Sequence, residues 1–183
     1  WSALIQDFDN DGLKDIFVSN GQYKDLLDRD YLNFYANENR IKKGIANKEK
    51  VIMNLIDSMP SEAVSNFMFN NKSQFQFQDV TSTWGLDQAS FSNGSAYGDL
   101  DNDGDLDFFI GGFISQGQQA NAKIYRNDNG IFVVTDYVLQ GIMEGDSDWG
   151  DYDNDGDLDL IYIGATSNSS NVDITKLYRN DGN

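Results

Sequence analysis

The chain has 183 residues, with 30 Asp and Glu against 13 Lys and Arg, a formal net charge of −17, and neither His nor Cys. So acidic a chain lacks the basic face that displaces counterions from phosphates, which excludes nucleic acid as a partner. The missing His and Cys exclude Ser-His-Asp, Cys-His and zinc-hydrolase chemistry within these residues, and no apolar run approaches the ~20 residues of a membrane-spanning helix.

Taken in order, the chain opens with a strand-like run, WSALIQD, that leads into DFDNDGLKD from Asp7. Nearly the same nine residues return as DLDNDGDLD from Asp99 and DYDNDGDLD from Asp151. One such segment reads equally well as a solvated turn, because DG and NDG mark ordinary turns. Three copies do not, since four convergent carboxylates repel one another unless a cation sits among them. The first, third, fifth and ninth positions supply those carboxylates: Asp7, Asp9, Asp11 and Asp15; Asp99, Asp101, Asp103 and Asp107; Asp151, Asp153, Asp155 and Asp159. The seventh residue, Leu13, Asp105 or Asp157, offers its carbonyl, and the sixth is glycine each time, where a sharp turn needs positive φ. This many oxygens suit Ca²⁺, so three calcium ions are expected, chiefly as braces for the fold, with magnesium a poor substitute. The loops are not EF-hands. Their twelfth residues are Val18, Ile110 and Tyr162 rather than a bidentate Glu, and each runs into an apolar strand. Leu13 and Lys14 replace an Asp and a Leu in the first loop, which makes its potential less negative and its site the expected weakest.

After the strand KDIFVSNG the first unit is interrupted. It carries roughly 40 residues more than the second, judged from the loop starts at Asp7, Asp99 and Asp151. Helical spacing of Leu27, Tyr31, Phe34 and Tyr35 predicts a helix from Asp25 to about Arg40, and KEKVIMNLIDSM predicts another from Lys48 to Met59, stopped by Pro60. An αα-hairpin over 25–59 serves either as packing on the rim or as a platform for a partner. The unit resumes at Ser65, where FMFNN parallels the later IYRND and FQFQDV parallels IFVVTD. The second unit is an uninterrupted meander of four strands: SNGSAYGD, LDFFIGGF, AKIYRND and IFVVTDY. The third repeats its first three strands and stops at the hairpin turn after TKLYRNDG, as expected of a fragment of a longer chain.

Four-stranded units with a loop at a fixed point predict an all-β fold, a partial β-propeller of one domain over 1–183. Its blades span 1–81, with the helical insertion at about 25–60, then 92–137, then a truncated 145–183. The D-x-D-N-D-G-x-x-D loop, followed by an apolar strand and the pair Gly111-Gly112, resembles the FG-GAP or VCBS-type repeat of integrin α-subunit propellers. The combination of DFDNDGLKDIFVSNG, DRDYLNFY, MPSEAVSNFMFNN, FQDVTSTWGL and SNGSAYGDLDNDGDLD is similar to bacterial exported propellers that carry an ASPIC/UnbV region. That resemblance implies calcium on the first, third, fifth and ninth loop residues and the seventh carbonyl. It also implies further blades from chain outside this segment or from another subunit.

Two functions follow. One is a secreted or surface-attached, non-catalytic module that binds a protein or glycan for adhesion. The other is the propeller part of a secreted carbohydrate-active enzyme, a polysaccharide lyase or hydrolase. The lack of His weakens the second, and Arg126 and Arg179, which recur in register in the repeated YRN, read as structural rather than catalytic. Export is favoured by millimolar extracellular calcium, not by the absence of Cys.

Overall fold

The computed structural model describes residues 2–21, 59, 61–113, 120–166 and 172–182. The chain divides into two units, Gln22–Glu62 and the remainder. The helical hairpin expected over 25–59 falls in the first unit and, Met59 apart, lies outside the described residues.

Among the described residues the fold is all-β, with no helix and three antiparallel sheets. The first sheet joins β1 (Ala3–Gln6), β2 (Asp15–Val18), β3 (Phe67–Asn71) and β4 (Phe77–Asp79) in chain order. The second joins β5 (Phe91–Gly98), β6 (Asp107–Phe113), β7 (Ala120–Asn127) and β8 (Phe132–Val134) in the same way. The third holds β9 (Met143–Gly150), β10 (Asp159–Ala165) and β11 (Asp173–Tyr178). In every sheet the acidic loop joins the first strand to the second, so the sequence repeat is a structural repeat.

Strand register corrects one alignment. Ile16, Phe108 and Leu160, each the tenth residue counted from its loop's first Asp, pair with Phe69, Tyr125 and Tyr178. The equivalent triplets are therefore Phe69-Asn70-Asn71, Tyr125-Arg126-Asn127 and Tyr178-Arg179-Asn180. Setting FMFNN beside IYRND residue by residue is out by one, because the aromatic of the pair, not the first hydrophobic residue, fixes the register.

The second sheet lies between the other two. Every residue of β6 is buried, and its side chains alternate between faces as a strand demands. Phe108 and Ile110 join Phe8, Phe17, Met68 and Phe132 against the first sheet, with Phe108 at ring-centroid distances of 4.7 Å from Phe8, 4.6 Å from Phe17 and 4.8 Å from Phe132. Phe109 turns the other way, onto Ile142, Leu160 and Tyr162, and stacks on the Tyr162 ring at 5.2 Å. Each fully buried aromatic of this kind contributes on the order of 1.5–3 kcal/mol.

The first strands carry small residues where they approach one another. The Ser2 and Ser95 hydroxyls are hydrogen-bonded, and a Cβ at Gly94 would stand 3.1 Å from the carbonyl oxygen of Gly145. On the side of β8, larger groups hold the first two sheets together: Trp84 and Leu86 pack with Phe132, whose N–H donates to the Trp84 carbonyl at 2.8 Å.

Candidate metal centres

Each acidic loop is shaped by its own backbone before any ion is considered. The sixth-position glycines, Gly12, Gly104 and Gly156, have φ of +89°, +93° and +100° with open space where a Cβ would stand, so conformation rather than crowding selects glycine. The fourth-position asparagines, Asn10, Asn102 and Asn154, adopt the left-handed region as well, at 56°, 60° and 62°. Asn tolerates that region better than most residues. Two left-handed residues in three steps fold the loop back on itself.

That fold brings carboxylates together. Asp7, Asp9 and Asp15 each present an oxygen within 4.8 Å of the others, as do Asp99, Asp101 and Asp107, and Asp151, Asp153 and Asp159. These are the first, third and ninth positions. The fifth-position carboxylates stand outside this closest group and close turns instead. Asp11 Oδ1 accepts the Leu13 N–H at 2.8 Å, Asp103 Oδ1 that of Asp105 at 2.9 Å, and Asp155 Oδ1 that of Asp157 at 3.0 Å. The first-position carboxylates accept the glycine N–H groups, at 2.8 Å for Asp7, 3.0 Å for Asp99 and 3.1 Å for Asp151.

The ninth-position aspartates are buried and hold loop to sheet. Asp15, Asp107 and Asp159 accept the second-position N–H groups of Phe8, Leu100 and Tyr152 at 3.0, 2.9 and 2.9 Å. Their other oxygens accept the N–H groups of Asn71, Asn127 and Asn180 at 2.9, 2.8 and 2.8 Å. Burial pushes Asp107 up to about 6, with Asp101 and Asp103 adding repulsion against the hydrogen bonds that oppose it. Asp15 is raised by burial too, as are Asp101 and Asp153, where the neighbouring Asp103 or Asp155 adds to the effect.

Two asparagine contacts missed in the sequence tie the loops to one another. Asn10 Nδ2 donates to Asp105 Oδ1 at 2.7 Å, and Asn102 Nδ2 to Asp157 Oδ1 at 2.7 Å, so the fourth residue of one loop holds the seventh of the next. One carboxylate oxygen of Asp105 and one of Asp157 is thus engaged by a neighbouring loop. Leu13, in the first loop, has no such acceptor. The second tie lies deeper: Asn127 Nδ2 donates to the buried carbonyl of Phe8 at 2.8 Å and to Leu106 at 3.1 Å, and half-buried Asn180 Nδ2 donates to Leu100 at 2.8 Å. The signal was present in the threefold recurrence of Asn at these positions.

No protein-family model and no curated protein matches this chain. The metal reading rests on the clusters themselves, and they fit a hard cation on several counts. The donors are all oxygens, Asp99 Oδ1 is buried with no hydrogen-bond partner, and the raised carboxylates have little opposing charge in reach. Arg126 is spent on a bidentate pair with Asp128, at 2.8 and 3.0 Å. Arg179 pairs with Asp181 and stands 3.6 Å from Asp153. A cleft of about 1020 Å³, lined in part by Asp101, Asp107, Arg126, Leu160 and Arg179, gives solvent access to the second cluster. Among the described residues no helix is long and apolar enough to cross a membrane.

Proposed function

We infer that the chain is part of a calcium-braced β-propeller of the FG-GAP or VCBS type, a non-catalytic module of a secreted or surface protein that binds a protein or glycan. The observation that carries this reading is the recurrence of one carboxylate triad, at the same three loop positions, on three sheets stacked face to face. Calcium would supply the charge that lets buried Asp15 and Asp107 stay ionised while they tie loop to sheet. The chain's own residues do the rest: the loop N–H groups orient the first-position carboxylates, and the asparagine ties transmit each loop's position to its neighbour.

Further blades are supported by the outer faces. Phe17 and Phe109 are buried by the next sheet, whereas their equivalent on the third sheet, Ile161, is 45 % exposed beside Ile163 and Leu177. The missing cover comes from more chain or from another subunit. Partner binding is assigned to 25–59 and the loops; a variant joining Lys24 to Ser61 through a short linker should lose affinity for a natural ligand, and full retention would reduce the hairpin to packing.

Calorimetry tests the metal. Ions that bind only the folded state stabilise it by about 2.7 kcal/mol per site at a hundredfold excess over Kd. Calcium should therefore raise the melting temperature of chelated protein, and magnesium at the same concentration should do so far less. An unchanged melting temperature with calcium would overturn the reading.

A further inference from the structure

Register places Asn70 where the second and third sheets have Arg126 and Arg179. At those two sheets the position carries a guanidinium, which in the third stands 3.6 Å from the third-position Asp153. A fixed positive charge beside ligand carboxylates competes with any ion that binds them. At the first sheet the same position is neutral, and its side chain turns inward. Asn70 is fully buried, and its Nδ2 lies 2.7 Å from Asp9 Oδ2 and 3.2 Å from Asp15 Oδ1. Its Oδ1 is also buried and makes no hydrogen bond. No hydrogen bond holds the amide at its Oδ1 end, so turning it over gives up only the two Nδ2 bonds to Asp9 and Asp15. Carboxylates alone draw the NH₂; a cation among them draws the carbonyl oxygen.

Building on the calcium reading, we propose that Asn70 is a ligand of the first site, contributed through its side-chain oxygen from outside the loop, and that this site fills before the other two. The order is the reverse of the one suggested by Leu13 and Lys14. Leu13 contributes a carbonyl that any residue has, and Lys14 Nζ reaches to Gln6 Oε1 at 3.2 Å, whereas the Arg179 guanidinium stands 3.6 Å from Asp153 itself even while paired with Asp181.

The sixth-position glycine amides report each site separately, since each donates to its own loop's first Asp. In a calcium titration of the chelated full chain followed by amide NMR, Gly12 should shift at lower calcium than Gly104 and Gly156. In Asn70→Leu the Gly12 midpoint should rise about tenfold or more while the other two stay in place. Asn70→Asp, which keeps an oxygen but loses the amide donor, should hold the Gly12 midpoint or lower it. The proposal is overturned if Gly12 responds last, if Asn70→Leu folds and leaves its midpoint unchanged, or if Asn70→Asp abolishes its response as loss of a hydrogen-bond donor would. Should Asn70→Leu not fold, the Asp variant alone decides. Silence at all three glycines in the unaltered chain overturns the calcium reading itself, whereas normal responses at Gly104 and Gly156 confine the failure to Asn70.

Discussion

Asp107 shows how a single carboxylate couples folding to protons, and would couple it to any metal its cluster holds. Buried beneath its loop, it holds its proton up to about pH 6, while an unfolded aspartate releases it near pH 4. Between those values the folded, metal-free protein binds a proton that the unfolded chain does not. Stability from this group is therefore complete below about pH 4 and is lost as pH rises through 6. Asp15, Asp101 and Asp153 are raised as well and act in the same sense. Calcium, were it bound as proposed, would favour the ionised carboxylates and invert the trend. Chelated protein should thus unfold at higher urea at pH 5 than at pH 7.5, and protein in excess calcium should show the opposite order. Greater stability of the chelated protein at pH 7.5 would contradict the burial argument.

At the scale of the element, the unit that matters is a loop, the strand after it, and the asparagine across from it. Asn127 makes the point. Its Nδ2 bridges Phe8 and Leu106, its Oδ1 accepts the Gly130 N–H at 2.7 Å, and its own N–H holds Asp107. Asn127→Ala keeps the last of these and removes three buried side-chain bonds, one of them between sheets. Each buried group left unpaired costs about 1–3 kcal/mol, so a loss of at least about 3 kcal/mol is expected in urea unfolding. A loss under about 1 kcal/mol would mean that water replaces the side chain. The sequence placed the loop and both strands of this unit, because an alternating or continuous apolar run beside an Asp-rich turn is a local signal. It did not find the asparagine's role, because the carbonyl that Asn127 reaches lies more than a hundred residues earlier in the chain.

For the whole molecule, the repeat sets a rule for which side chains are covered. Phe17 and Phe109 face the following sheet, and among the described residues no sheet covers Ile161, their counterpart. Such a face drives association. Replacing Ile161 and Ile163 with Lys should leave the calcium response intact and shift sedimenting material from oligomers to monomer. If the unaltered chain is already monomeric at high concentration, the face needs no cover.

The sequence by itself determined the all-β character, the three loops, the carboxylates of the first, third and ninth positions and the glycine at the sixth. All of these depend on spacing within a nine-residue loop or on the period of a strand, and both are written locally. Tertiary structure decided the rest. It set Phe69 opposite Ile16, engaged Asp105 and Asp157 with the asparagines of neighbouring loops, and put Asn70 against Asp9 and Asp15. Each of these depends on which sheet lies beside which and in what register, and no pattern of nine residues carries that information.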